Sequence, residues 1–138
     1  MRAYSESYLN DVVETQGKLF DMVAFDNPDV DTSRFIHDYM CSKTRKSIDE
    51  GMAYVNTMNA HELLDYCNDI DGIPFYKGEA MKGFLPAWIG QFYAYYQWYY
   101  NMPSSELVKK IPVAYLEQVY PGLHDYDLEL AVRKIGVN

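Results

Sequence analysis

The chain has 138 residues, a formal net charge of −8 and 14 tyrosines, but only two cysteines. This length suits one domain that buries its core without disulfides or metal, and the acidic balance disfavours direct binding to nucleic-acid phosphate. Cys41 and Cys67 lack framework spacing and the opening residues lack the apolar core of a signal peptide, so a reducing, cytoplasmic setting is expected.

Tyr8, Leu9, Val12, Val13, Gln16, Leu19, Phe20 and Val23 recur at helical spacing and predict a long helix from about Ser5 to Phe25. Gly17 inside it costs about 1 kcal/mol against Ala, which implies close packing at that point. Asn27, Pro28 and Asp29 end the helix, and Asp31 or Thr32 caps a second one carrying Phe35, Ile36, Tyr39 and Met40. Lys43, Arg45 and Lys46 form a basic patch too short for a nucleic-acid footprint. Asn59 with Glu62 predicts a capping box ahead of Leu63, Leu64 and Cys67, and the helix stops by Gly72. From there to Gly83 the chain reads as a loop punctuated by Pro74 and Gly78.

Residues 84–100 carry no charge and are mostly aromatic. At about 100° per residue, Phe84, Leu85, Trp88, Ile89, Phe92, Tyr95, Tyr96 and Tyr99 form a broad apolar arc. Ala87, Gly90, Ala94 and Gln97 lie opposite, where a solvent face would carry Lys and Glu; small residues there admit another backbone. A membrane span would be richer in Leu, Ile and Val and poorer in Gln and Tyr, so no membrane contact is expected. Ser104 or Ser105 caps a short helix with Leu107, Val108 and Ile111. Pro112 suits the first turn of the next, which carries Leu116, Val119 and Tyr120 and breaks at Pro121 and Gly122. Asp125 or Asp127 opens a last helix with Leu128, Ala131, Val132 and Ile135, ended by Gly136. Without strand alternation, the expected fold is a single all-α bundle, residues 1–138, of five to seven helices around the aromatic one.

Few residue patterns carry chemistry. His61, Asp65 and Asp69 can share a helix face, but no metal-ligand motif accompanies them. A calcium loop around Gly72 fails because its first and last ligands would be Cys67 and Gly78. His124 beside Asp125 and Asp127 suits a general base, yet an ordered His among capping Asp residues is the commoner arrangement. No metal or cofactor is therefore expected, and the chain is read as non-enzymatic; a small enzyme using His124 is one alternative.

The acidic excess lies in the first half, notably at Asp26, Asp29, Asp31, Asp65, Asp69 and Asp71. A solvated surface is its ordinary meaning. A second alternative is imitation of nucleic-acid phosphates by an inhibitor of a defence nuclease. Tyr76, Tyr93, Trp98 and Tyr100 sit on or near the edge of the apolar arc and are candidate partner contacts, because Tyr and Trp dominate interface hot spots. The competing reading is that they complete the core or a homodimer seam. The expected function is a protein-interaction module whose acidic half steers a basic protein partner.

Two blocks carry a family resemblance. Residues 48–55 with Asn59, Ala60, His61, Glu62, Leu63 and Leu64 form one; Ala94, Tyr95, Tyr96, Gln97, Trp98 and Tyr99 with residues 123–127 form the other. Together they resemble a group of small proteins from Gram-positive gut bacteria and their mobile elements, to which no activity is attached. The likeness covers most of the chain but departs at Ala60, where Gly is usual, and at Asp125, where Glu is usual. Genes of that group lie near others resembling toxin–antitoxin or ADP-ribosyltransferase-like components, so the resemblance implies a partner-binding, antitoxin-like or regulatory role by association.

Overall fold

The computed structural model describes residues 2–136, and these form nine helices. They are α1 (Glu6–Asp26), α2 (Thr32–Met40), α3 (Lys43–Asp49), α4 (Ala53–Asn56), α5 (Ala60–Ile70), α6 (Leu85–Tyr100), α7 (Ser104–Lys110), α8 (Val113–Leu123) and α9 (Leu128–Ile135). An isolated antiparallel bridge between Val30 and Lys77 is the sole β-pairing among the described residues. The all-α expectation holds. The surplus over five to seven helices comes from short pieces, such as the four-residue α4, whose apolar pattern is too brief to register as periodicity.

Local chemistry sets most boundaries. Ser5 accepts a hydrogen bond from Ser7 N to start α1, and Asp31 accepts from Arg34 N to start α2. Asn59 and Glu62 form the reciprocal capping box of α5. Asn101 closes α6 in a left-handed conformation (φ 52°), donating its N–H to Gln97 O. Two expectations need correction. Ser104 is not the cap of α7 but its first residue, because its hydroxyl and N–H both go to Asp49. Pro121 does not break α8, which runs on to Leu123; a proline in the last turn forfeits little of the hydrogen-bond ladder.

The core is organised on α1 against α6, the most extensive helix pair. α2 and α5 pack on α1; α7, α8 and α9 pack on α6; α3 links α2, α5 and α7. Trp88, Ile89, Phe92, Tyr93, Ala94 and Tyr96 are buried along α6, so that helix is covered on nearly every side. The described helices include none long and apolar enough to cross a membrane.

Glycines set the α1–α6 separation. A Cβ at Gly90 would stand 2.5 Å from Gln16 O and 2.8 Å from the Gly17 Cα. Both obstacles are backbone, so relief requires the helices to part. Gly90→Ala should therefore destabilise the protein by about 2–3 kcal/mol, even though Ala is the better helix former. Gly122 in α8 has nothing within 4 Å of its would-be Cβ, so Gly122→Ala should stabilise by about 0.5–1 kcal/mol. Urea unfolding of both variants measures the contrast; equal signs would remove the close crossing as the reason for Gly90.

Candidate functional site

Burial of α1 is one-sided, and its outer edge meets the loop that leads into α6. Ala24 and Asp21 of α1, Phe25, Pro28 and residues Glu79 to Gly83 line an open groove of about 560 Å³. A second depression, lined by Glu14, Gly17, Lys18, Phe84, Ala87 and Gln91, adjoins it at Asp21 and Gly83. Phe25 is 84% exposed and Phe84 52% exposed on this composite surface. Lys18 is held by Glu14 at 2.8 Å, leaving Asp21, Glu79 and Lys82 as the other charged groups along it. The loop is tethered from behind: Asp31 N donates to Tyr76 O (2.8 Å), Gly78 N to Asp29 O (2.9 Å) and Met81 N to Thr32 Oγ1 (3.1 Å). These hydrogen bonds tie the loop that forms one groove wall to the α1–α2 connection and the start of α2.

The candidate aromatic contacts divide. Tyr76 is exposed, with the Arg34 guanidinium 4.1 Å above its ring. Tyr100 is half-buried and packs on Tyr96 and Tyr99. Tyr93 is buried in the core, and Trp98 is buried beneath residues 2–5, where the Arg2 guanidinium covers one face of its ring. Tyr93 donates its hydroxyl to Ile111 O at 2.6 Å, and Trp98 donates its indole N–H to Tyr4 O at 2.8 Å. A helical wheel places both at the arc's edge, but it cannot show that the α7–α8 connection and residues 2–5 close over that edge.

The acidic candidates divide too. Asp26, Asp29, Asp65 and Asp69 are exposed. Asp31 caps α2 and is half-buried near Glu117, whose carboxyl burial pushes up, with Asp31 adding to the shift. Asp71 accepts from Lys43 N (2.8 Å), Thr44 N (3.2 Å) and the Thr44 hydroxyl (2.6 Å) at the start of α3. Burial raises the Asp71 carboxyl, but these hydrogen bonds and one from Cys67 outweigh that and hold it below the usual carboxylate range. Asp31 and Asp71 are therefore bound to helix N-termini, and the exposed remainder is split between the end of α1 (Asp26), the α1–α2 connection (Asp29) and α5 (Asp65 and Asp69). The structure brings Asp29 and Asp31 beside Tyr76 through the backbone pairing of their two segments.

The basic patch also splits. Lys43 and Lys46 are exposed while Arg45 is 1% exposed. Arg45 Nη1 lies 3.1 Å from Asp49 Oδ1, and neither terminal nitrogen makes a directed hydrogen bond to a protein atom. Asp49 also accepts the Ser104 N–H at 2.7 Å and hydroxyl at 2.6 Å. Burial pushes the Asp49 carboxyl up, against the opposing pull of Arg45 and Ser104. The same cluster acts on the Tyr4 phenol, which burial pushes up to about 12. The signal for this buried pair was present as the i, i+4 spacing of Arg45 and Asp49 beside Thr44 and Ile48.

His124 lies stacked on Tyr120 with ring centroids 4.6 Å apart. Its Nδ1 is 2.9 Å from Tyr120 O and its Nε2 3.3 Å from Asp125 Oδ1. Asp127 is the α9 cap, accepting from Leu130 N. His61, Asp65 and Asp69 stand exposed along α5, and the described residues contain no grouping of three or more His, Cys, Asp or Glu suited to a metal ion. Burial pushes the Cys67 thiol up to about 12, far from a reactive thiolate. No protein-family model, curated protein or solved structure matches the chain.

Proposed function

We propose that the chain is a non-enzymatic interaction module that docks a basic protein partner along the Phe25–Phe84 groove. The observation that supports this reading is the pair of exposed rings, one in each of two adjoining depressions, since large apolar groups gathered at a groove mark contact sites more often than scattered ones do. The net charge of −8 favours a basic partner over a second copy, which would bring like charge to like; on the groove itself the Asp21 and Glu79 carboxylates outnumber the Lys82 ammonium. In the antitoxin-like or regulatory form of this reading, the partner is a basic protein whose activity the bound chain blocks. The non-enzymatic part is supported by the structural employment of the polar clusters: His124 stacks, Asp127 caps and Asp49 pairs.

Affinity capture from the native host, followed by binding measurements with the purified partner, tests the proposal. Phe25→Ala and Phe84→Ala should each weaken binding at least about tenfold while leaving the unfolding midpoint within a degree or two of the parent's, as expected for exposed positions. Raising salt from about 50 to 500 mM should also weaken it. Binding indifferent to both rings would sink the groove, and binding indifferent to salt would sink the basic partner. The phosphate-mimic alternative calls instead for loss on neutralising Asp26, Asp29, Asp65 and Asp69 together, with the two rings dispensable.

A further inference from the structure

The end of α6 carries a second surface, on which a cation is already seated. Arg2 places its guanidinium carbon 4.2 Å from the Trp98 ring centroid and 5.2 Å from that of Tyr99. Its Nη2 donates to the Tyr99 carbonyl at 3.3 Å. Three separate attractions meet there: the negative faces of two rings, an end-of-helix carbonyl without an intrahelical donor, and the negative end of the α6 dipole. Tyr95 extends the rank, stacked on Tyr99 and edge-on to Trp98. Glu129 and Glu6 lie close enough to push the Tyr95 phenol up, after burial as the main cause, and so add negative charge beside the rings.

The segment that delivers Arg2 is held independently of Arg2. Trp98 Nε1 donates to Tyr4 O at 2.8 Å. The Ala3 carbonyl lies against Gly51, whose φ of 72° and lack of a side chain admit it; a Cβ there would stand 2.5 Å from that oxygen. The Arg2 side chain is exposed and can leave the rings without the segment letting go.

We propose that Trp98, Tyr99 and the Tyr99 carbonyl form a guanidinium-binding site, occupied in cis by Arg2 and available to an arginine side chain of a basic partner when Arg2 yields it. The site takes a flat cation able to lie on a ring and donate to a carbonyl, which fits guanidinium better than the compact ammonium of lysine. Arg2 acts as a tethered competitor that lowers the apparent affinity of any incoming arginine. The proposal rests on the basic-partner reading above, but its test uses neither that partner nor the Phe25–Phe84 groove.

The probe is the peptide acetyl-Gly-Arg-Gly-amide, with its neutral citrulline counterpart as control, titrated by NMR while the Trp98 indole N–H resonance is followed. The Arg2→Ala protein should bind the arginine peptide roughly three- to fivefold more tightly than the parent does, the range expected on removing one exposed cation–ring competitor. The citrulline peptide should leave the resonance unmoved. Adding Tyr99→Leu to Arg2→Ala should return the affinity to the parent's level or below. Equal affinity in parent and Arg2→Ala, or equal response to the arginine and citrulline peptides, overturns the proposal. Such a failure would leave the Phe25 and Phe84 measurements untouched, so the two readings fall separately.

Discussion

Arg45→Met should destabilise the protein by about 3–5 kcal/mol at neutral pH, because it removes one member of a buried pair and leaves the other charge in place. Arg45 is 1% exposed and the Asp49 side chain 10% exposed, so water does little to replace the lost partner. The substitution keeps the aliphatic stem, which confines the effect to charge. The double variant Arg45→Met/Asp49→Leu should recover most or all of the loss, since a buried pair exchanged for apolar groups of similar size is often neutral. Its recovery will be incomplete to the extent that the Ser104 N–H and hydroxyl lose their acceptor.

The same pair has a pH signature. Burial raises the Asp49 carboxyl in the folded protein, so the folded state holds its proton more tightly than the unfolded one. The contribution of Asp49 to stability is then greatest below the ordinary carboxylate range and is lost as pH climbs through its raised value. Without Arg45 the raise should grow, and Arg45→Met should recover stability on acidification relative to the parent. Asp71 works in the opposite sense: its lowered carboxyl stabilises above the usual carboxylate range and loses that effect as pH falls. The readout is therefore the difference between variant and parent in urea unfolding across pH, in which Asp71 cancels. A difference that is flat with pH, or smaller than about 1 kcal/mol at neutrality, would mean that the pair does not bear on stability as its burial implies.

Trp88→Ala should cost about 3–5 kcal/mol, the range for emptying a large aromatic site in a packed core. Trp88 is 2% exposed and touches Phe92 and Tyr120 at ring centroid distances of 5.2 and 5.4 Å. Packed walls relax only partly over a deleted side chain, so much of the space stays empty. Trp88→Phe is expected to be far milder, under about 1.5 kcal/mol. It keeps most of the aromatic volume and removes an indole N–H that has no hydrogen-bond partner in the protein; deleting an unpaired buried donor carries no matching penalty. Equal costs for Ala and Phe would place the stabilisation in the indole nitrogen instead of the ring, against this account.

Much of the fold was legible because it rests on local rules. The capping box at Asn59 and Glu62, the Asp31 cap and the Gly136 terminus follow from side chains meeting backbone a few residues away. The close crossing at Gly17 and Gly90 was legible from small residues set in otherwise bulky helices. Less of the candidate sites was legible. Phe84 read as part of the apolar arc, yet it is exposed, and so is Phe25 at the end of α1, because among the described residues no other element covers that side of the α1–α6 pair. Tyr93 and Trp98 read as rim, yet both are buried, because segments distant in sequence fold over them.

By itself the sequence determined the all-α class, the central aromatic helix and most helix boundaries. These depend on periodicity, propensity and caps, which act within a turn or two of chain. Only the tertiary structure decided which rings face water, that Arg45 lies inside while its neighbours Lys43 and Lys46 lie outside, and that Arg2 rests on Trp98 and Tyr99. Those outcomes depend on contacts between residues as much as 97 positions apart, and nothing in the local pattern of either partner encodes the other's position.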